Sequence, residues 1–337
     1  MAAMQTEQGS PIRIALLGTY HPAVPTFQAL VEKGWLSVLV LPEEAGYRND
    51  ELLALAEAHR IPWTYAIDDL GQYAVDMLIA ANYPRLVPRR FLDSLPCLNT
   101  HWSLLPRWRG VHPTAWAMIN GDERIGLTVH QMTDEFDAGG TLRQKSVQVT
   151  AETDFNQLHE ELAELQADAV VEVVEAYLHT GELVAEPQDE SQATYVPQRV
   201  PEDGIIQWDW PARRLAGLVR ALPLPKYPGA FTFCEGRKLI LCSASVAEGP
   251  AYYSTLGQVV RVLDDGSVWV KAGDTCLAVH EVMYEGDAEP FPASRVLRRG
   301  CRLGIDPQRE VIRLQQRVSE LEAQVRALLA NRGEAGK

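Results

Sequence analysis

The sequence predicts an α/β protein: a mostly parallel sheet with helices on both faces, followed by a small open β-barrel and a terminal helix. Three observations carry this. Between residues 13 and 81, short apolar runs alternate with helix-like stretches, the pattern of a sheet built from crossover units. Beyond residue 204 the chain breaks into short strand-like runs separated by Glu235-Gly236, Asp265-Gly266 and Gly273-Asp274, as antiparallel hairpins do. Val311, Leu314, Val318, Leu321, Val325 and Leu328 recur at alternating steps of three and four, a heptad with Val at a and Leu at d.

In order, residues 13–20 (RIALLGTY) read as a buried strand, 25–33 as a helix stopped at Gly34, and 36–41 as a second strand. Residues 49–59 form a second helix with Asn49 as its cap, 63–67 a weaker third strand, and 76–81 a fourth. The result is Rossmann-like, but Gly18-Thr-Tyr20 is not the G-x-G-x-x-G turn that holds a pyrophosphate, which disfavours a nicotinamide cofactor. Residues 97–102 and 125–132 are further strands, and 141–149 another. Residues 154–179 form a long helix with Asp154 and Gln157 as a capping box and Gly181 as a stop, and His159 on its surface. The polar, proline-bearing stretch 186–203 reads as a linker, 204–305 as the barrel and 306–332 as the heptad helix; residues 1–10 read as a disordered leader.

A chain of 337 residues, 46% hydrophobic and 23% charged, has room for two ordinary domains. A net charge of −14 argues against a broad nucleic-acid surface, which needs a basic face. Cys97, Cys234, Cys242, Cys276 and Cys301 show no CxxC spacing, so no metal site is expected, and sparse free thiols fit a reducing cytoplasm. No run of about eighteen apolar residues occurs, so no membrane span is expected.

Three polar residues stand out in the apolar stretch 97–142: Asn99, His101 and Asp137. Asn99 and His101 are two apart on a strand and share a face. A histidine takes a proton from an attacking amine near neutral pH. A nearby carboxylate stabilises the resulting cation, and an asparagine N–H donates to an oxyanion. Together they suit acyl transfer in which the substrate amine attacks directly.

The segments Asn99-Thr-His101-Trp-Ser-Leu-Leu-Pro-Arg-Trp-Arg-Gly110, Trp116-Ala-Met-Ile-Asn-Gly-Asp122 and Asp137-Ala-Gly139 resemble, in order, those of the folate-dependent formyltransferases. Trp102 departs from the Pro or Gly of many members. The stretches Trp208 to Arg213 and Pro228 to Thr232 are similar to that family's C-terminal barrel, so the resemblance covers about residues 10–305. It implies a catalytic domain over 11–185, 10-formyltetrahydrofolate as co-substrate, and Asn99, His101 and Asp137 as the catalytic set. It also implies a pterin slot formed by Arg85, Leu86 and Val87, by Leu104, and by Thr133, Asp134, Glu135 and Phe136. Members that act on methionyl-tRNA carry a basic insertion after the second strand, whereas Pro42 to Asp50 is acidic here. With the overall charge, this points to an amino-sugar nucleotide acceptor and no nucleic-acid partner. Methionyl-tRNA is the alternative acceptor. Hydroxyornithine formylation, formyltetrahydrofolate hydrolysis and a non-catalytic folate-binding scaffold are further ones. The heptad predicts a homodimer.

Overall fold

The computed structural model describes residues 11–43, 47–304 and 307–334. It divides into two compact units, with the boundary between Val200 and Pro201. The expected leader lies outside the described residues.

The first unit alternates as the sequence does: β1 (Ile14–Gly18), α1 (Val24–Glu32), β2 (Leu36–Val40), α2 (Asp50–His59), β3 (Trp63–Thr64), β4 (Met77–Ala81), α3 (Arg89–Leu92) and β5 (Cys97–His101). It continues with β6 (Arg109–Gly110), α4 (Pro113–Ile119), β7 (Arg124–Gln131), β8 (Thr141–Gln148), α5 (Phe155–Thr180) and β9 (Tyr195–Val196). Seven strands form one sheet in the order β3-β2-β1-β4-β5-β7-β8. The first five run parallel, and β7 and β8 are antiparallel additions. β1 and β4 are buried along their whole length, because a parallel strand is covered on both faces. One face carries Ala15, Leu17, Val38, Val40, Leu78 and Ala80, covered by Ile67, Tyr73, Phe91 and Leu92. The long helix α5 packs on α1 and on β7 and β8.

Two local expectations differ. Asn49 occupies the cap position of α2, but its side chain does not cap the helix. Its carbonyl oxygen accepts from Thr19 at 2.8 Å and its amide donates to the Pro42 carbonyl at 2.8 Å, tying the ends of the 42–49 loop. His159 is half-buried, its ring 4.2 Å from Phe155 and 5.1 Å from Trp102, so aromatic packing draws it inward. Asp154 caps α5 as expected, accepting from the Gln157 N–H, and Gly181 ends it at φ 75°. Gln166 of α5 is fully buried with both amide ends satisfied: it accepts from Thr100 and Trp102 and donates to the Pro22 carbonyl and Thr26. Trp102 is thereby anchored to α5.

In the second unit, α6 (Ala212–Arg220) precedes a six-stranded antiparallel sheet: β10 (Ala230–Cys234), β11 (Arg237–Val246), β12 (Val259–Val262), β13 (Val268–Lys271), β14 (Cys276–Tyr284) and β15 (Phe291–Pro292). The order is β10-β11-β14-β13-β12, with β15 on β14. Bridges from Leu303 to Cys234 and from Arg302 to Gln258 link the chain after β15 to the ends of both outer strands, partly closing the sheet. A last helix, α7 (Pro307–Glu334), follows, and Val311, Leu314, Val318, Leu321 and Val325 remain 44–54% exposed along it. No helix among the described residues is long and apolar enough to cross a membrane.

Candidate active site

Asn99 and His101 lie on β5, whose antiparallel partner β7 places His130 directly opposite Asn99 and Thr128 opposite His101. The Asn99 amide nitrogen is 3.1 Å from His130 Nε2. His130 Nδ1 is 2.8 Å from the Gln131 carbonyl, which can only accept, so Nδ1 carries the proton and Nε2 receives one Asn99 N–H. That contact uses one of the two Asn99 amide hydrogens. Burial above all, with smaller contributions from the neighbouring His101 and Arg109, lowers His130 to about 4 against the raising effects of the Gln131 carbonyl and Asp137. His130 is therefore a neutral orienting group at neutral pH.

His101 is 7% exposed and its Nε2 lies 2.8 Å from the Trp108 carbonyl, so that nitrogen also donates. Its Nδ1 faces Asp137 Oδ1 at 3.5 Å and is the nitrogen free to gain a proton. Asp137 Oδ1 is 3.8 Å from His130 Nε2, and Oδ2 accepts from the Gly110 N–H at 2.9 Å. One largely enclosed carboxylate, its side chain 11% exposed, thus faces both imidazoles. Asp137 itself holds a left-handed backbone at φ 55°, unusual for a residue other than glycine. Two glycines make the arrangement possible. A Cβ on Gly139 would lie 1.8 Å from the Gln131 carbonyl oxygen, and one on Gly110, at φ 107°, 2.2 Å from that of Val196.

The second motif supports the first. Asp122 accepts from Arg107 at 3.1 Å and from the Trp108 indole at 2.8 Å, steadying the turn whose carbonyl holds His101. Cys97, two residues before Asn99, is not a nucleophile: burial pushes its thiol to about 12. No group of three metal-binding side chains occurs among the described residues.

The expected pterin-slot residues fall on two loops tied across by an ion pair. Arg85, Leu86 and Val87 follow β4, while Thr133 to Phe136 follow β7, and Arg89 reaches Asp134 at 2.6 Å. Main-chain groups of Leu86 and Val87 make no hydrogen bond among the described residues, and Leu86 and Phe136 are 63% and 69% exposed. Open backbone groups beside apolar side chains fit a flat ring with a polar edge. Thr133 is spent locally, accepting from the Glu135 N–H and donating to the Glu135 carbonyl. Leu104 lies over Gly126, four residues before His130 on β7.

Sequence reasoning passed over His130, although a histidine inside the buried run 125–132 was a visible signal. It also gave no role to Arg109 or Gln188. Gln188 donates at 2.7 Å to the carbonyls of both Asp137 and Gly139.

The chain matches the Formyl transferase family over residues 53–174 and the Formyl transferase C-terminal domain over 199–296. It is 31% identical over 315 residues to a methionyl-tRNA formyltransferase of Geobacter sulfurreducens, covering 87% of this chain and 97% of that protein. A methionyl-tRNA formyltransferase of Desulfotalea psychrophila is 35% identical over 254 residues, 74% of each chain. In fold, the crystal structure of WlaRD, a sugar 3N-formyl transferase, is similar with a TM-score of 0.64 at 14% identity, over 83% of this chain and 100% of that one.

These relatives overturn the amino-sugar acceptor expected from the sequence, and with it the expectation of no nucleic-acid partner. That expectation rested on the net charge and on the acidic stretch Pro42 to Asp50. Residues 151–190 hold twelve acidic side chains and no lysine or arginine, so most of the −14 belongs to α5 and the segment after it. Residues 201–304 hold equal numbers of acidic and basic side chains. A polyanion responds to local potential, not to the sum over the chain. With both domain matches and relatives at this identity over most of their length, the chain belongs to the folate-dependent formyltransferase family.

Proposed function

We propose that this protein formylates the α-amine of methionyl-tRNA, using 10-formyltetrahydrofolate as donor. The observation that carries the reading is the run of methionyl-tRNA formyltransferases, 30–31% identical over 87% of this chain and 97–99% of theirs. The donor supplies the carbon: the amine nitrogen bonds to the formyl carbon, and the bond from that carbon to the folate nitrogen breaks. His101 Nδ1 takes the proton the amine loses and returns one to the departing folate nitrogen, while Asp137 stabilises the imidazolium in between. Asn99, turned by His130, gives its other N–H to the oxygen as it gains charge. Val87, Leu86 and Phe136 line the donor ring's place. Free, unpaired cysteines fit a cytoplasmic setting.

The test is incubation of the full chain with 10-formyltetrahydrofolate and methionyl-tRNA, read as formyl-methionine released from the RNA. Formylation that weakens steeply with salt supports the reading. An enzyme that consumes the donor with a free small amine and leaves methionyl-tRNA untouched would refute it.

The same reading includes assembly. A helix with an exposed two-residue apolar seam is marginal alone, so the seam of α7 takes a partner. We infer a second copy of this chain, running parallel. In that register, the Arg317 flank position of one helix meets Glu322 of the other, and the exchange repeats by symmetry.

A further inference from the structure

The segment following α5 returns across the site. Glu186 exchanges two backbone hydrogen bonds with Thr141 at 2.8 Å, and β9 pairs in parallel with β6. Its central side chain is Gln188. The Gln188 amide N–H groups go to the Asp137 and Gly139 carbonyls, and its oxygen accepts from Arg109 at 2.8 and 3.2 Å. Arg109 is 1% exposed, and its charge is met by Glu190 at 2.6 and 2.9 Å and by the Tyr195 hydroxyl at 2.9 Å. Asp137 is therefore gripped at two points. The Gly110 N–H, next in sequence to Arg109, holds its carboxylate, and Gln188 holds its carbonyl in a left-handed conformation it would not adopt alone.

We propose that Gln188 and Arg109 are positioning residues that hold the Asp137 carboxylate against His101, making the segment after α5 part of the active site. Neither touches the reacting atoms; they act through Asp137. This rests on the role given to Asp137 above. A carboxylate 3.5 Å from the imidazole has little slack, because displacement by about 1 Å costs on the order of a hundredfold in rate.

The test is a double-mutant cycle on the full chain with the formyl-transfer assay. Gln188→Glu keeps the size and the Arg109 contact but removes both N–H donors. It is expected to lower kcat by roughly 10- to 100-fold with KM for both substrates changed by less than about threefold. The acidic limb of its pH–rate profile should move in the direction seen for Asp137→Asn. In an Asp137→Asn background, Gln188→Glu should cost less than about twofold, because its effect is already lost. Should Gln188→Glu fail to fold, Glu190→Gln, at an exposed side chain, reports the same coupling as a smaller loss of kcat that also vanishes in the Asp137→Asn background. Losses that multiply, or a lower melting temperature with an unmoved pH profile, would overturn the proposal. An Asp137→Asn enzyme of near-normal rate would instead overturn the role of Asp137, a separable outcome.

Discussion

Asn99 and His130 stand directly opposite each other on adjacent antiparallel strands, and the amide of one donates to the ring of the other at 3.1 Å. An asparagine amide can flip; this contact fixes which end faces the site. Replacing Asn99 with alanine is expected to cost about 2–4 kcal/mol in the transition state, roughly thirtyfold to just under a thousandfold in kcat. Replacing His130 with phenylalanine should give part of that loss, since the amide remains but is no longer oriented. Single-turnover rates measure both, and an equal rate for wild type and the His130 variant would remove the orienting role.

His101→Ala and Asp137→Ala should abolish transfer while circular dichroism and thermal melting stay near wild type. Turnover in the His101 variant at a tenth of the normal rate or more would mean another group moves the proton.

Burial of neutral His130 has a pH signature. Unfolded, the ring titrates near its ordinary 6.5; folded, at about 4. Between these values the unfolded chain binds more protons, so stability falls as pH drops from about 6.5 towards 4 and is unaffected by this group above that window. A shift of this size is worth on the order of a few kcal/mol. His130→Gln should flatten the decline in urea midpoint across that window; an unchanged slope would assign the acid sensitivity elsewhere.

Gly110→Ala should destabilise the first unit by more than about 1 kcal/mol, because the new methyl meets the Val196 carbonyl at a backbone angle few side chains adopt. Thermal melting decides it.

For α7, Arg317→Glu or Glu322→Arg alone places like charges across the parallel seam, and each should weaken the dimer in sedimentation. Mixing the two variants restores opposite charges at both sites and should recover dimers. Dimers equally tight in every case would place the contact elsewhere.

Most of the first sheet was legible, because β1, β2 and β4 are buried runs punctuated by Gly34 and Asn49. The Asn99, His101 and Asp137 constellation was legible through motif order. His130 was not, because strand pairing alone brings residues 99 and 130 together. Asn49 misled: a good capping residue was drawn off by Thr19 and Pro42, contacts set by tertiary approach. The stretch 186–203 read as a linker because it is polar and proline-bearing, and polarity does not reveal that Gln188 is spent on the backbone of the site.

That segment bears on how the enzyme can be dissected. A fragment cut at Thr180, where the long helix ends, would keep all seven strands of the main sheet yet remove Gln188, Glu190 and the strand that pairs with Arg109 and Gly110. Such a piece would look like a whole domain by spectroscopy and be a poor catalyst. The splice point for chimeras that exchange one half of the molecule between relatives is after Val200, where the compact unit itself ends.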